Sequence, residues 1–271
     1  MKENKIIKHH ARQMTKQNYA GLLRLALLLA IPGLLSASLK LVPGLAGVPL
    51  VLPLIKALLS LLVFPLQLGA ARLLLFTFEN DRLEGDVWQY YRCGRRGTML
   101  LLWGISWVPG LAGSMLRPAL EAAQAGSPPE WVLLLLGLLS LLLLAGMLWV
   151  FCRLLLCNYL FILDEDKPVR ELVAQSLQRT AGYTGFILSF AIPLELLYFL
   201  CSMAVPGLLS VLLPAGSGWW WLLGPVLGIP VWPYVNLAMA GLASVLLPGE
   251  KERRKAEREK MKGQENTGKV K

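Results

Sequence analysis

Charge is what this sequence has least of. Only 16% of its residues are Asp, Glu, Lys or Arg, 55% are hydrophobic, and mean hydropathy is +0.55. A soluble domain carries about 25% charged residues and interrupts its apolar runs, so a water-soluble globule is excluded. Histidine is almost missing: His9 and His10 stand side by side near the start, which leaves no histidine for acid–base work inside an apolar segment. The four cysteines (Cys93, Cys152, Cys157, Cys201) form no CxxC and no metal-ligand spacing. They exclude a disulfide framework and are expected to be unreactive thiols. No HExxH, GxSxG or GxxxxGK[ST] is present, and no span holds paired aspartates. The chain is therefore expected to be non-enzymatic, with no catalytic residue, no metal and no cofactor.

What the sequence has instead is long apolar runs. Residues 131–150, WVLLLLGLLSLLLLAGMLWV, contain no charge over twenty positions. At 1.5 Å per residue such a helix crosses a hydrocarbon core of roughly 30 Å. Six spans are expected, at 20–38, 49–71, 98–116, 131–151, 184–204 and 218–247, with the fourth able to continue helically to Leu163. Several contain proline, which removes a backbone donor and survives in a bilayer where neighbours or water satisfy the freed carbonyl.

Lysine and arginine divide unequally between the loops. Residues 1–19 carry five, 72–97 five, 164–183 three and the C-terminal tail nine. The opposite loops hold only Lys40 and Arg117. Twenty-two against two is a strong positive-inside signal and puts both termini in the cytoplasm. The expected fold class is an all-α polytopic membrane protein with six transmembrane helices: a basic cytoplasmic tail (1–19), a membrane domain (20–248) and a charged cytoplasmic tail (249–271). The first span, followed by Ser36-Ala37-Ser38, also has the make-up of a signal peptide. An uncleaved anchor is expected, and cleavage would leave the orientation unchanged.

The polar segments suggest lipid contact. Trp88, Tyr90 and Tyr91 beside Arg92, Arg95 and Arg96 fit an interfacial loop, rings at headgroup level and cations toward phosphate. Trp219, Trp220 and Trp221 fit an aromatic belt at the outer interface. Val169, Leu172, Val173, Ser176 and Leu177 recur at helical spacing, so 166–180 is expected to be a short amphipathic cytoplasmic helix that touches lipid or a partner protein. The net charge of +10 is assigned to topology and anionic lipids rather than nucleic acid, since the basic tail has no interleaved aromatic to stack on bases.

Glu195 breaks the pattern. It lies eleven residues into the fifth span, a costly place for an ionisable group. Lys56 and Asn236 fall at comparable depths of their own spans, roughly 22 Å and 18 Å from the cytoplasmic end by helical rise. Together they resemble the ingredients of a midplane transporter site. The structural alternative has Lys56 snorkelling outward and Glu195 protonated, bonding a carbonyl freed by Pro193 or Tyr198 on a neighbouring turn.

Three stretches resemble a bacterial membrane family catalogued as domain of unknown function 975. PLQLGAARLLLF (65–76) is similar to its G-P-L-x-x-G-L-A-R helix end. NYLFILDEDKPVRELVAQSLQRTAGY (158–183) matches at or near Tyr159, Asp166, Pro168, Ser176 and Gly182, and PYVNLAMAGLASVLL (233–247) resembles its closing helix. The last helix continues ASVLL where many members place an aromatic, and the 166–180 segment lacks the usual basic run after its serine. The resemblance implies a six-helix fold in a bacterial cytoplasmic membrane and no particular activity. The leading expectation is a non-enzymatic accessory or envelope-associated component, working through the 166–180 helix with a membrane or cytoplasmic protein partner. A small transporter or lipid-handling protein built on the Glu195 level is the alternative.

Overall fold

The computed structural model describes residues 2–38, 51–106, 130–204 and 226–247. Every regular element among them is helical. Helix α1 is Lys2–Gln17 and α2 is Tyr19–Ser38. Helix α3 is Val51–Asn80, α4 is Gln89–Arg92, and α5 covers 96–106. Helix α6 is Glu130–Leu154, α7 is Cys157–Leu163 and α8 is Val169–Arg179. Helix α9 is Thr184–Phe199, continued by a π-helical turn at Leu200–Ala204, and α10 is Trp232–Leu246. Three stretches are long and apolar enough to cross a membrane: Leu54–Asn80, Gly137–Leu163 and Thr184–Ser202. Counting α1 and α2 as one bent pair makes up to four. The described residues form an all-helical protein with apolar helices of membrane-spanning length.

Residues 2–17 were expected to be a polar tail and are a packed helix. The reason lies in a stripe the surrounding lysines obscure: Ile7, Ala11 and Met14 recur at i, i+4 and i+7 and are all buried. Helix α1 turns 92° from α2 and lies across α10 and the end of α3. His10 donates through Nε2 to the Phe78 carbonyl (3.1 Å), and Asn4 donates to Ser189 Oγ (3.3 Å).

Helix α3 runs nine residues beyond its expected end at 71, because LLLFTFEN keeps helix-compatible residues and buries Leu73, Leu74, Leu75 and Thr77. Arg72, counted in a loop, is therefore helical. The following strand of chain then doubles back along α3. Leu83 meets Gly21, Gly85 lies by Leu73, the Val87 carbonyl lies against Gly69, and Tyr91 donates to the Leu62 carbonyl (2.6 Å). From Asn80 to Leu62 is roughly 27 Å of helix, so residues 81–91 form a strap along it. Gly69 permits this, since a Cβ there would lie 2.0 Å from the Val87 oxygen.

Polar contacts gather at one end of the bundle. Arg72 pairs with Glu165 (3.6 Å), which also accepts from Gln89 (3.3 Å) and Cys93 (3.6 Å). Arg95 pairs with Asp166, and Ser244 donates to Glu79 (3.1 Å). Helix α8 packs on the junction of α6 and α7. Leu172 and Ser176 are buried there, Ser176 donates to the Arg153 carbonyl (2.5 Å), and Arg153 donates to the Leu177 carbonyl (3.2 Å). The core centres on α10, whose residues from Leu237 to Ala243 are all buried between α1, α3 and α9.

Candidate intramembrane binding site

A cavity of about 510 Å³ opens between α2, α3, α7, α9 and α10. Its α2–α3 side is shaped by small residues, Ala26, Ala30, Gly33, Ala70 and Ala71, which let two helices leave space without a side chain filling it. Its polar groups come from separate elements: Gln67 on α3, Tyr159 on α7, Tyr198 and Ser202 at the end of α9, Trp232 and Asn236 on α10. Among the described lining residues none carries a formal charge.

Gln67 is the central residue of the Leu54–Asn80 span, thirteen positions from each end, and it is exposed toward this space. That puts an amide roughly 20 Å of helix from either end, five residues before Arg72 and the ion pairs that close the polar end of the bundle. Asn236 spends one donor on the Trp232 carbonyl (3.0 Å). An amide has two donors and two acceptor lone pairs, so most of its capacity is left for a ligand or water. Ser202 donates to the Tyr198 carbonyl (2.7 Å) within the π-helical turn, and such turns recur at functional sites because they re-aim side chains. Tyr198 packs over Gly228, where an added Cβ would lie 3.1 Å from its ring.

The sequence-predicted midplane residues separate. Asn236 lines the cavity. Glu195 and Lys56 are exposed and are not among its described lining residues. Lys56 lies eleven residues from Gln67, roughly 16 Å along α3, near the end of the span remote from Glu79. Glu195 is three residues before Tyr198 on α9, one turn short of the cavity. The sequence reading followed charge and so passed over Gln67, Tyr159, Tyr198 and Ser202. The signal was there in LQLGAA, one amide beside three small residues, and in Tyr198 and Ser202 at i and i+4 after Pro193.

The expected headgroup contacts also sort themselves. Trp88 is exposed and stacks near Tyr91, ring centroids 5.6 Å apart. Arg92 pairs with Asp86 (3.5 Å) and Arg95 with Asp166, whereas Arg96 has no carboxylate partner among the described residues. Trp219, Trp220 and Trp221 lie outside the described residues. Tyr90 is fully buried; its hydroxyl faces the Arg72–Glu165 pair without hydrogen-bond geometry, and burial pushes its pKa well above the tyrosine range.

A cavity of this size suits a drug-sized or lipid-fragment ligand. Amides, hydroxyls and an indole in apolar walls can orient a neutral polar group by hydrogen bonds. They supply no general base, no activated nucleophile and no fixed charge for an ion. Among the described residues no cluster of His, Cys, Asp and Glu is placed to hold a metal. No protein-family model, curated protein or solved structure matches this chain.

Proposed function

We propose that this chain is a non-enzymatic, lipid-handling protein of a bacterial cytoplasmic membrane, holding the uncharged polar part of an amphipathic molecule in the α2–α3–α10 cavity. The observation that carries the reading is the cavity itself: six uncharged polar side chains from four elements converge on one space, with Gln67 at the centre of an apolar span. In this proposal the protein crosses the membrane six times with both termini cytoplasmic. Two features support that orientation: the twenty-two to two division of Lys and Arg, and the gathering of ion pairs at one end of the bundle. Lipid handling is preferred to a purely accessory role because the centre of the α8 face that such a role would use, Leu172 and Ser176, is buried against α6 and α7, which leaves Leu177 as the exposed apolar residue of that face.

Native mass spectrometry of the full chain, released from its own membrane, tests the reading. A retained lipid or neutral metabolite is expected, lost in Ala71→Phe, which fills the cavity, and weakened in Gln67→Leu. Retention unchanged by both substitutions would end the proposal.

A further inference from the structure

A second recess, separate from the cavity, lies between α3, α4 and α5. It encloses about 320 Å³ and is walled mainly by apolar side chains, among them Leu61, Leu62, Phe64 and Leu100, with Tyr91 and Arg96 at its polar edge. Taking 100° per residue, its α3 residues sit roughly 150° around the helix from Gln67, Ala70, Ala71 and Leu74, so no lining residue is shared. The strap builds it. Tyr91 is held in place by its hydrogen bond to the Leu62 carbonyl, three residues before Pro65, where the proline loosens the backbone ladder. Trp103 donates to Ser60 Oγ (3.1 Å) and fixes α5 beside the same stretch of α3.

We infer that this recess is a binding site for one anionic phospholipid, an acyl chain lying between α3 and α5 and the phosphate on Arg96. The charges argue for that occupant. Three arginines crowd residues 92–96, and two have a carboxylate partner within the chain, Arg92 in Asp86 and Arg95 in Asp166. Arg96 is exposed, has no carboxylate partner among the described residues, and is the one that borders the apolar recess. It is also the first residue of α5, after which the sequence runs into GTMLLLW, so it stands where the chain passes from polar strap to apolar helix. A guanidinium binds a phosphate through paired charge-assisted hydrogen bonds, and an interfacial tyrosine beside it suits the glycerol level. A zwitterionic lipid would bring its own cation to Arg96 and lose part of that attraction. This inference does not rest on the cavity reading, since the two sites share no residue.

The test is titration of phosphatidylglycerol, phosphatidylcholine or glycerol 3-phosphate onto the delipidated full chain in detergent, read by native mass spectrometry. One phosphatidylglycerol should bind more tightly than those that follow, with phosphatidylcholine weaker at that first site. Arg96→Ala should weaken the first binding about tenfold, and Arg92→Ala should leave it unchanged. Arg96→Lys should keep most of it, and Leu100→Trp, which fills the recess without changing charge, should abolish it. Glycerol 3-phosphate should not bind. The inference is overturned if Arg92→Ala and Arg96→Ala weaken binding equally, if Leu100→Trp binds normally, or if phosphatidylcholine or the chainless phosphate binds as well as phosphatidylglycerol.

Discussion

Leu141 and Phe161 lie on the same apolar stretch, Gly137–Leu163, yet Leu141 is 65% exposed and Phe161 is fully buried. The contrast extends to the whole molecule. Along α6, Trp131, Leu135, Leu138, Leu141 and Leu142 are exposed, as are Leu54, Leu58 and Leu62 on the first half of α3. At the opposite end Tyr90, Leu160, Phe161, Leu172, Ile187, Phe190 and Leu237 form a closed core beside the ion pairs. In water the first region would be an untenable surface of leucine. In hydrocarbon it incurs no hydrophobic cost, because lipid tails are as apolar as the side chains. The two regions therefore suit different solvents: one is closed by packing and hydrogen bonds, the other presents the apolar surface that a bilayer would cover.

Substitutions should separate the two regions sharply. The largest gap is expected between Phe161→Ala, costing about 4 kcal/mol from a closed core, and Leu141→Ala, changing stability by less than about 0.5 kcal/mol. Thermal unfolding of both variants in one detergent checks this, and equal losses would break the comparison. Next comes Gly69→Ala. One methyl group would meet the Val87 carbonyl and push the strap from α3, at an expected cost of about 3 kcal/mol, whereas Gly137→Ala, with nothing within 4 Å, should be neutral. Limited proteolysis within 81–91 would show the strap released. Arg72→Ala should cost less, about 1 kcal/mol, because the pair it breaks is partly exposed and screened and Glu165 keeps two other donors.

The smallest expected effect concerns pH. The Tyr90 phenol has a raised pKa in the fold, chiefly by burial, with the Glu165 charge second. The unfolded chain thus loses that proton first, so Tyr90 contributes stability below the ordinary tyrosine pKa and loses it progressively above pH 10 or so. Tyr90→Phe should flatten the alkaline limb of the stability profile and be neutral or slightly stabilising at pH 7, since the hydroxyl has no hydrogen-bond partner to lose. Denaturant midpoints between pH 7 and 11 measure both.

The apolar half was legible in the sequence because a bilayer reads composition: length and lack of charge suffice for Leu54–Asn80, Gly137–Leu163 and Thr184–Ser202. The packed half was harder. Helix α1 hides a three-residue stripe among lysines, and the apolar face of α8 looks available although α6 and α7 bury its centre at Leu172 and Ser176. The strap was unreadable, since nothing in ENDRLEGDVWQYY says that the chain turns back along its own helix; only the need for Gly69 hints at it afterwards. The cavity was missed for a related reason. Uncharged polar residues are common in membrane helices, and only their convergence from several elements makes Gln67, Tyr198, Ser202 and Asn236 a site.

Single-cysteine labelling in sealed vesicles of both orientations tests the two-solvent account most directly. In a background with the native cysteines replaced, Lys5→Cys, Glu84→Cys and Glu171→Cys should react with a membrane-impermeant maleimide from the same side only. Leu58→Cys and Leu141→Cys, although exposed in the fold, should react from neither side. Labelling of Leu141→Cys at the rate of Glu84→Cys, or of Lys5→Cys and Glu171→Cys from opposite sides, would contradict it.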